Sequence, residues 1–311
     1  MSDHAAVLKV RAASVEFQNP VLLAAGTAGY GRELSGVMNL EALGGIVTKA
    51  VSPEPRAGAP APRVAEFDGG MINAVGLANP GLDKVAAEEI PWLAANVKKP
   101  RVIVNVIGKV VEDFAVVVAR LSGIDRIDAF ELNVSCPNTK AGGIEFGADP
   151  ATLRDLVTRA RAATRKPLFV KLSPVLQSIG DTALLAVDSG ADGLTLVNTI
   201  PGMLIDIEKR KPILGFGSGG VSGPGLLPVG VLAVVKVRRA VQVPIIGVGG
   251  VQRGTDAIQY LMAGASLVAI GTAAMRDPKA PSRVVDEIGS WCDRHKVKSV
   301  HDIMGSLEIQ S

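Results

Sequence analysis

"PIIGVGGVQRGTDAIQYLMAGASLVAIGT", residues 244–272, decides the fold. It opens on a short apolar run, "PIIGVGG" (244–250), continues through "GTDAIQYLMAGA" (254–265) with apolar residues at helical spacing, and closes on a second run, "LVAIGT" (267–272). Short apolar runs that stop at turn residues read as buried strands, and a helical stretch between two of them reads as a right-handed βαβ crossover. The same alternation extends back along the chain. Apolar runs recur at "VLLAAG" (21–26), "GGIVTK" (44–49), "RVIVNV" (101–106), "AFELNV" (129–134), "LFVKLS" (168–173) and "GLTLVN" (193–198), which makes eight with the two above. Amphipathic stretches at 149–164, 179–190 and 227–241 fall between them.

Eight such units predict an α/β protein of the (β/α)8 TIM barrel type; an open doubly wound sheet is the rival. No early strand-turn-helix unit carries G-x-G-x-x-G, so the rival lacks its usual signal. The barrel has a positive one. Lys49, Asn105, Asn133, Lys171, Asn198 and the pairs Gly249-Gly250 and Gly271-Thr272 all stand at the C-terminal ends of runs. A barrel gathers those ends on one face, where such enzymes do their chemistry.

The composition agrees. Hydrophobic residues make up 48% of the 311 positions and aromatics only 4%, so the core is built from Val, Ile, Leu and Ala, as parallel strands covered by helices require. Residues 1–311 read as one barrel domain with inserted loops over the C-terminal face, the long ones at 50–83, 135–148 and 199–225. A formal charge of +3 leaves no basic surplus for nucleic acid, and "EKRKP" (208–212) reads as a solvated turn. The N-terminus shows no signal-peptide pattern and no run approaches the ~20 apolar residues of a membrane span, so a soluble, cytoplasmic protein without membrane attachment is expected. The two cysteines, Cys136 and Cys292, form neither a disulfide framework nor a metal site. Cys292 falls on a helical apolar face with Val284, Val285, Ile288 and Trp291.

Three features carry chemistry. "GVGGV" (247–251) and "GTA" (271–273) end the last two runs, where barrels build phosphate sites from backbone N–H groups, Thr272 adding a hydroxyl; the bland alternative is ordinary turn glycine. Cys136 lies in the polar turn "NVSCPN" between Asn133 and Asn138, whose amides can read a planar ligand, so its thiol is a candidate general base. The three histidines, His4, His295 and His301, lie near the termini and away from every strand end. Lys49 and Lys171 end apolar strands and read as facing a negative ligand atom, with a rim salt bridge as the alternative.

"NVSCPN", "TKAVSPEPRAGAPAPR" (48–63), "MINAVGLANPG" (71–81), "VNTIPGMLIDI" (197–207) and "GSGGVSGPG" (217–225) together resemble the FMN-dependent dihydroorotate dehydrogenases of pyrimidine biosynthesis. The resemblance runs from "LLAAGTAGYG" to "GTAAM". It implies oxidation of (S)-dihydroorotate to orotate, with Cys136 as the base of the soluble class 1 enzymes taking the C5 proton and FMN N5 the C6 hydride. Lys49, Asn73, Val75, Gly76, Leu77, Asn133, Asn138, Asn198 and Thr199 match positions that grip the pyrimidine. Ala25, Gly26, Thr48, Lys49, Asn105, Asn133, Lys171, Val197, Gly223, Gly249, Gly250, Gly271 and Thr272 match positions lining FMN. The segment from Pro137 to Asp149, with Gly142, Gly143 and Gly147, reads as a lid.

"SGGVSGPG" and "PGMLIDI" resemble the 1B branch, which implies a homodimeric core and a partner subunit carrying FAD and a [2Fe–2S] cluster that passes electrons to NAD+. Ala59 departs from the usual "GNPxPR", and Thr199 stands where the fumarate-using 1A branch tends to have serine; both bear on the branch. A 1A-type enzyme, a dihydrouridine synthase-like barrel and an inert FMN-binding barrel are the alternatives.

Overall fold

The computed structural model describes residues 4–135 and 145–308. Its centre is a closed barrel of eight strands, β1 (Val21–Leu23), β2 (Gly45–Val47), β3 (Arg101–Val106), β4 (Ala129–Asn133), β5 (Leu168–Leu172), β6 (Gly193–Leu196), β7 (Ile245–Val248) and β8 (Leu267–Ile270). All eight lie within the runs read from the sequence. Each pairs in parallel with its neighbour in chain order, and β8 closes on β1. Helices outside and side chains inside bury both faces of the sheet, which is why the strands are nearly continuous Val, Ile and Leu.

The outer layer follows the helical spacing. In α1 (Val111–Ser122) the buried residues are Phe114, Val117, Val118 and Leu121, one stripe along the helix. Helix α2 (Pro150–Ala162) starts with Pro at N1 and an Asp149 cap that accepts the Thr152 N–H at 2.8 Å. Helices α3 (Ile179–Asp188), α4 (Leu227–Ala240), α5 (Gly254–Met262) and α6 (Ala280–Arg294) complete the later units. Helix α6 buries Cys292, whose thiol is pushed above its ordinary pKa by burial and by Asp293 and Asp302, an inert core position. Among the described residues no helix is long and apolar enough to cross a membrane.

One connection between barrel strands lacks an α-helix. Between β1 and β2 the chain makes turns and a single 3-10 turn, Leu40–Ala42, in place of a helix. An N-terminal hairpin, Val10–Ala12 with Val15–Phe17, contributes the buried Phe17, which packs near the start of β2 where Gly45 has no side chain to obstruct it.

The stretches read as long loops at 50–83 and 199–225 contain short strands. They supply the strands Val64–Phe67, Gly70–Asn73, Ile200–Gly202 and Gly219–Ser222 of one four-stranded antiparallel sheet, plus a short ribbon pairing Ile205–Asp206 with Lys211–Pro212. Each insertion forms its own antiparallel pair, and pairing Gly70–Asn73 with Gly219–Ser222 joins the two pairs across the barrel mouth.

Candidate functional site

Strand β4 carries two polar residues on one face, Glu131 and Asn133, two positions apart. Glu131 is buried and accepts two hydrogen bonds, from Asn105 Nδ2 on β3 and from Thr195 Oγ1 on β6, each at 2.7 Å. Because β6 lies two strands from β4, the second bond spans the concave interior of the barrel. The residues Glu131, Asn105 and Thr195 therefore form a polar floor under the C-terminal mouth. Asn105 Oδ1, on that floor, is buried and has no hydrogen-bond partner among the described residues.

One step above the floor, Asn133 and Lys171 are register partners, and Lys171 is paired in turn with Thr195. Asn198 Nδ2 donates to Asn133 Oδ1 at 3.2 Å, while Asn198 Oδ1 accepts the Thr199 N–H at 2.9 Å. Lys171 is only 7% exposed and makes no hydrogen bond or ion pair among the described residues. Thr48 is fully buried behind Lys49, with its hydroxyl donating to the Lys49 carbonyl and accepting the Asn105 N–H. Lys49 is half-buried and likewise makes no ion pair among the described residues. Val197 is buried, and its N–H donates to Val248 O at 3.0 Å, tying the end of β6 to the end of β7.

The late glycines sit as the strand order requires. Gly249-Gly250 and Gly271-Thr272 follow adjacent parallel strands. Gly250 has φ +75°, and a Cβ there would lie 2.4 Å from Leu227 N, so only glycine lets the turn pass this close to the start of α4. Thr272 Oγ1 donates to Ser222 Oγ at 2.8 Å, which brings Gly223 beside this turn. Ala25 and Gly26 follow β1 on the next strand round, and a Cβ on Gly26 would meet nothing within 4 Å.

The antiparallel sheet brings Asn73, Val75, Gly76, Leu77 and Thr199 over the mouth. Asn73 Nδ2 donates to Gly220 O at 3.3 Å, and Gly220 leaves no room for a Cβ against Thr199. The turn holding Gly76 and Leu77 has positive φ at both residues and rests on Ala59, whose N–H donates to Val75 O at 3.1 Å. The sequence departure at Ala59 therefore falls on a support of this loop, where a small side chain fits against Gly76.

Cys136, Asn138, Gly142 and Gly143 lie outside the described residues. The described residues beside that segment are anchored: Gly147 N–H donates to Val134 O at 2.9 Å, and Glu145 lies 3.5 Å from the Ser173 hydroxyl at the end of β5. Burial raises the Glu145 carboxyl above its ordinary pKa, partly offset by that hydroxyl.

Three residues of the site were not read from the sequence: Glu131, Thr195 and Ser222. For Glu131 a signal existed, a charged residue inside the apolar run "AFELNV" two positions before Asn133. For Thr195 and Ser222 there was none, since a lone hydroxyl is ordinary in a strand.

The donor set fits a planar, phosphorylated heterocycle such as a flavin mononucleotide. Among the described residues, a buried acceptor without a partner, a buried ammonium without a partner and Gly26 with open space beside it lie at one end of the barrel.

A parallel eight-stranded barrel with its polar groups gathered at the C-terminal strand ends is the arrangement of an α/β-barrel enzyme. The chain belongs to the dihydroorotate dehydrogenase family, whose profile matches residues 7–291. It is 46% identical over 301 residues to the dihydroorotate dehydrogenase B (NAD(+)) catalytic subunit of Pelobacter propionicus, covering 97% of this chain and 98% of that one. The protein of the same description from Alkaliphilus metalliredigens is 46% identical, with 96% and 98% covered. Among solved structures, Eimeria tenella DHODH in complex with ferulenol superposes with a TM-score of 0.83 at 26% identity, covering 98% of this chain and 90% of that one.

Proposed function

We propose that the chain oxidises (S)-dihydroorotate to orotate using FMN, as the catalytic subunit of an NAD-linked enzyme. The observation that supports this most is the meeting of Lys171, the unpartnered Asn105 Oδ1 and the Asn133–Asn198 pair at one barrel mouth, in a chain 46% identical to relatives of that description.

Dehydrogenating the C5–C6 bond requires a base for the C5 proton and an acceptor for the C6 hydride. FMN supplies the hydride acceptor. Cys136, three residues beyond Asn133, supplies the base: as thiolate it takes the C5 proton and becomes the neutral thiol. The amides of Asn73, Asn133, Asn138 and Asn198, with the loop Val75-Gly76-Leu77 and Thr199, hold the pyrimidine. Lys49 offers its ammonium to the charge that grows on the ring carbonyl as the proton leaves. Lys171, Asn105, Thr48, Val197, Ala25 and Gly26 line the cofactor ring, and Gly223, Gly249, Gly250, Gly271 and Thr272 hold its phosphate.

Electrons leave through a partner subunit carrying FAD and a [2Fe–2S] cluster and pass to NAD+, the barrels themselves pairing as a homodimer. Two points support this: the relatives are named catalytic subunits, and the G-x-G-x-x-G match in this chain, "GFGSGG" (215–220), runs into the strand Gly219–Ser222 rather than into the helix a dinucleotide site requires.

Purified protein should be yellow, release FMN on acid treatment, and lose its flavin absorbance when dihydroorotate is added without oxygen. NADH should form only when the partner subunit is present. Recovery of FAD, or no bleaching by dihydroorotate, would contradict the proposal, and rapid fumarate reduction by the chain alone would move it to the 1A branch.

A further inference from the structure

Among the described residues the buried Glu131 carboxylate holds no ion pair, yet it takes one donor on each oxygen, Asn105 Nδ2 on Oε1 and Thr195 Oγ1 on Oε2. A carboxylate only accepts, so its contact with Asn105 decides which end of that amide it meets: the nitrogen. Asn105 has little other freedom. Its backbone N–H donates to Thr48 Oγ1 at 3.3 Å and its carbonyl accepts the Val51 N–H at 2.9 Å. What remains is a half-turn of the amide, which is nearly isosteric and governed by hydrogen-bond partners alone. With the nitrogen on Glu131, the carbonyl oxygen Oδ1 is left buried and unpartnered. Such atoms are uncommon in folded proteins, and one at the mouth of a barrel calls for a ligand donor.

We infer that Glu131 is a positioning residue: it holds the Asn105 amide so that Asn105 presents a hydrogen-bond acceptor, rather than a donor, to an N–H of the flavin ring. The inference rests on the proposed FMN reading. It deepens it by assigning the polarity of one contact and the residue that sets it. Without Glu131 the amide is free to turn, and its NH2 would then meet an N–H it cannot pair with.

The test is the FMN dissociation constant of the flavin-stripped protein, read by quenching of FMN fluorescence, with folding checked by circular dichroism. Glu131→Leu should weaken FMN binding roughly tenfold, the scale of one hydrogen bond lost, and shift the bound flavin's visible spectrum. Glu131→Gln should bind within about threefold of wild type, because its carbonyl still accepts from Asn105 while its amide donates to the Thr195 hydroxyl. Since Glu131 acts through Asn105, adding Glu131→Leu to Asn105→Ala should change the constant by less than about twofold, so that the two substitutions are fully coupled rather than additive. A folded Glu131→Leu protein with wild-type affinity and spectrum would overturn the inference, as would a full-sized Leu effect in the Asn105→Ala background.

Should the leucine variant fail to fold, a crystal structure of the wild-type holoprotein decides. Asn105 Oδ1 within about 3.2 Å of a flavin ring nitrogen supports the assignment, whereas Asn105 Nδ2 on a flavin oxygen overturns it. Wild-type protein that binds no FMN at all would sink the flavin reading and this inference with it. Wild-type FMN binding with an unaltered leucine variant would sink the inference alone.

Discussion

Replacing Lys171 by methionine should move two measured quantities in opposite directions. Lys171 is 7% exposed at the end of β5 and makes no ion pair or hydrogen bond among the described residues, so without ligand its ammonium bears a desolvation cost that no partner offsets. Full burial of an unpaired ion costs several kcal/mol; the residual exposure and the open mouth reduce this to about 1–2 kcal/mol. Methionine of similar length removes the charge and keeps the packing, so the flavin-free protein should be more stable by that amount, a rise of about 2–5 °C in Tm for a domain of this size. In the proposed flavin site the same ammonium would donate a charge-assisted hydrogen bond worth about 1.5–3 kcal/mol, and its loss should weaken FMN binding about 10- to 100-fold. Thermal unfolding of stripped protein and an FMN titration read the two effects separately. A structural lysine predicts the reverse pattern, so a methionine variant that is less stable without flavin yet binds FMN normally would refute the reasoning.

Gly250→Ala should cost about 2–4 kcal/mol of stability, because alanine is strained at φ +75° and its Cβ would lie 2.4 Å from Leu227 N; an unchanged Tm and FMN affinity would show that the turn yields freely. Glu145 supplies a pH test. Its folded-state pKa is raised by burial, so the folded protein binds the proton more tightly than the unfolded chain, and stability falls as pH rises from the ordinary carboxylate value through the folded one. Glu145→Gln should remove that part of the pH dependence and raise Tm at neutral pH, and thermal melts across mildly acidic to neutral pH that superpose for the two proteins would contradict it.

All eight strands were legible because a strand buried on both faces is largely apolar and ends in a turn, as β2 does before Lys49 and β6 before Asn198. The antiparallel sheet over the mouth was not. Its central pairing sets Asn73 against Gly220, 147 positions apart, and neither strand has the alternation that a half-buried sheet imposes; Gly219–Ser222 is half-buried throughout. Lys171 and the late glycines announced themselves through chemistry that is costly without a ligand. Glu131 stood out only as a charge inside an apolar run, and its partner Thr195 lies across the barrel, a contact that only closure of the sheet creates. The missing helix between β1 and β2 has a local cause: Gly26, Gly29 and Gly31 all adopt positive φ in that connection, a conformation a helix cannot contain.

In the proposed reaction Cys136 removes the C5 proton while the remaining site residues hold substrate and cofactor. Anaerobic stopped-flow reduction of the flavin by dihydroorotate, comparing wild type with Cys136→Ala, tests it directly. The alanine variant should retain FMN and bind orotate, while its flavin reduction slows by the ~10²–10⁴-fold typical of a lost general base, and the wild-type rise in rate with pH should disappear. An alanine variant that reduces its flavin at the wild-type rate, with the same pH profile, would contradict the account.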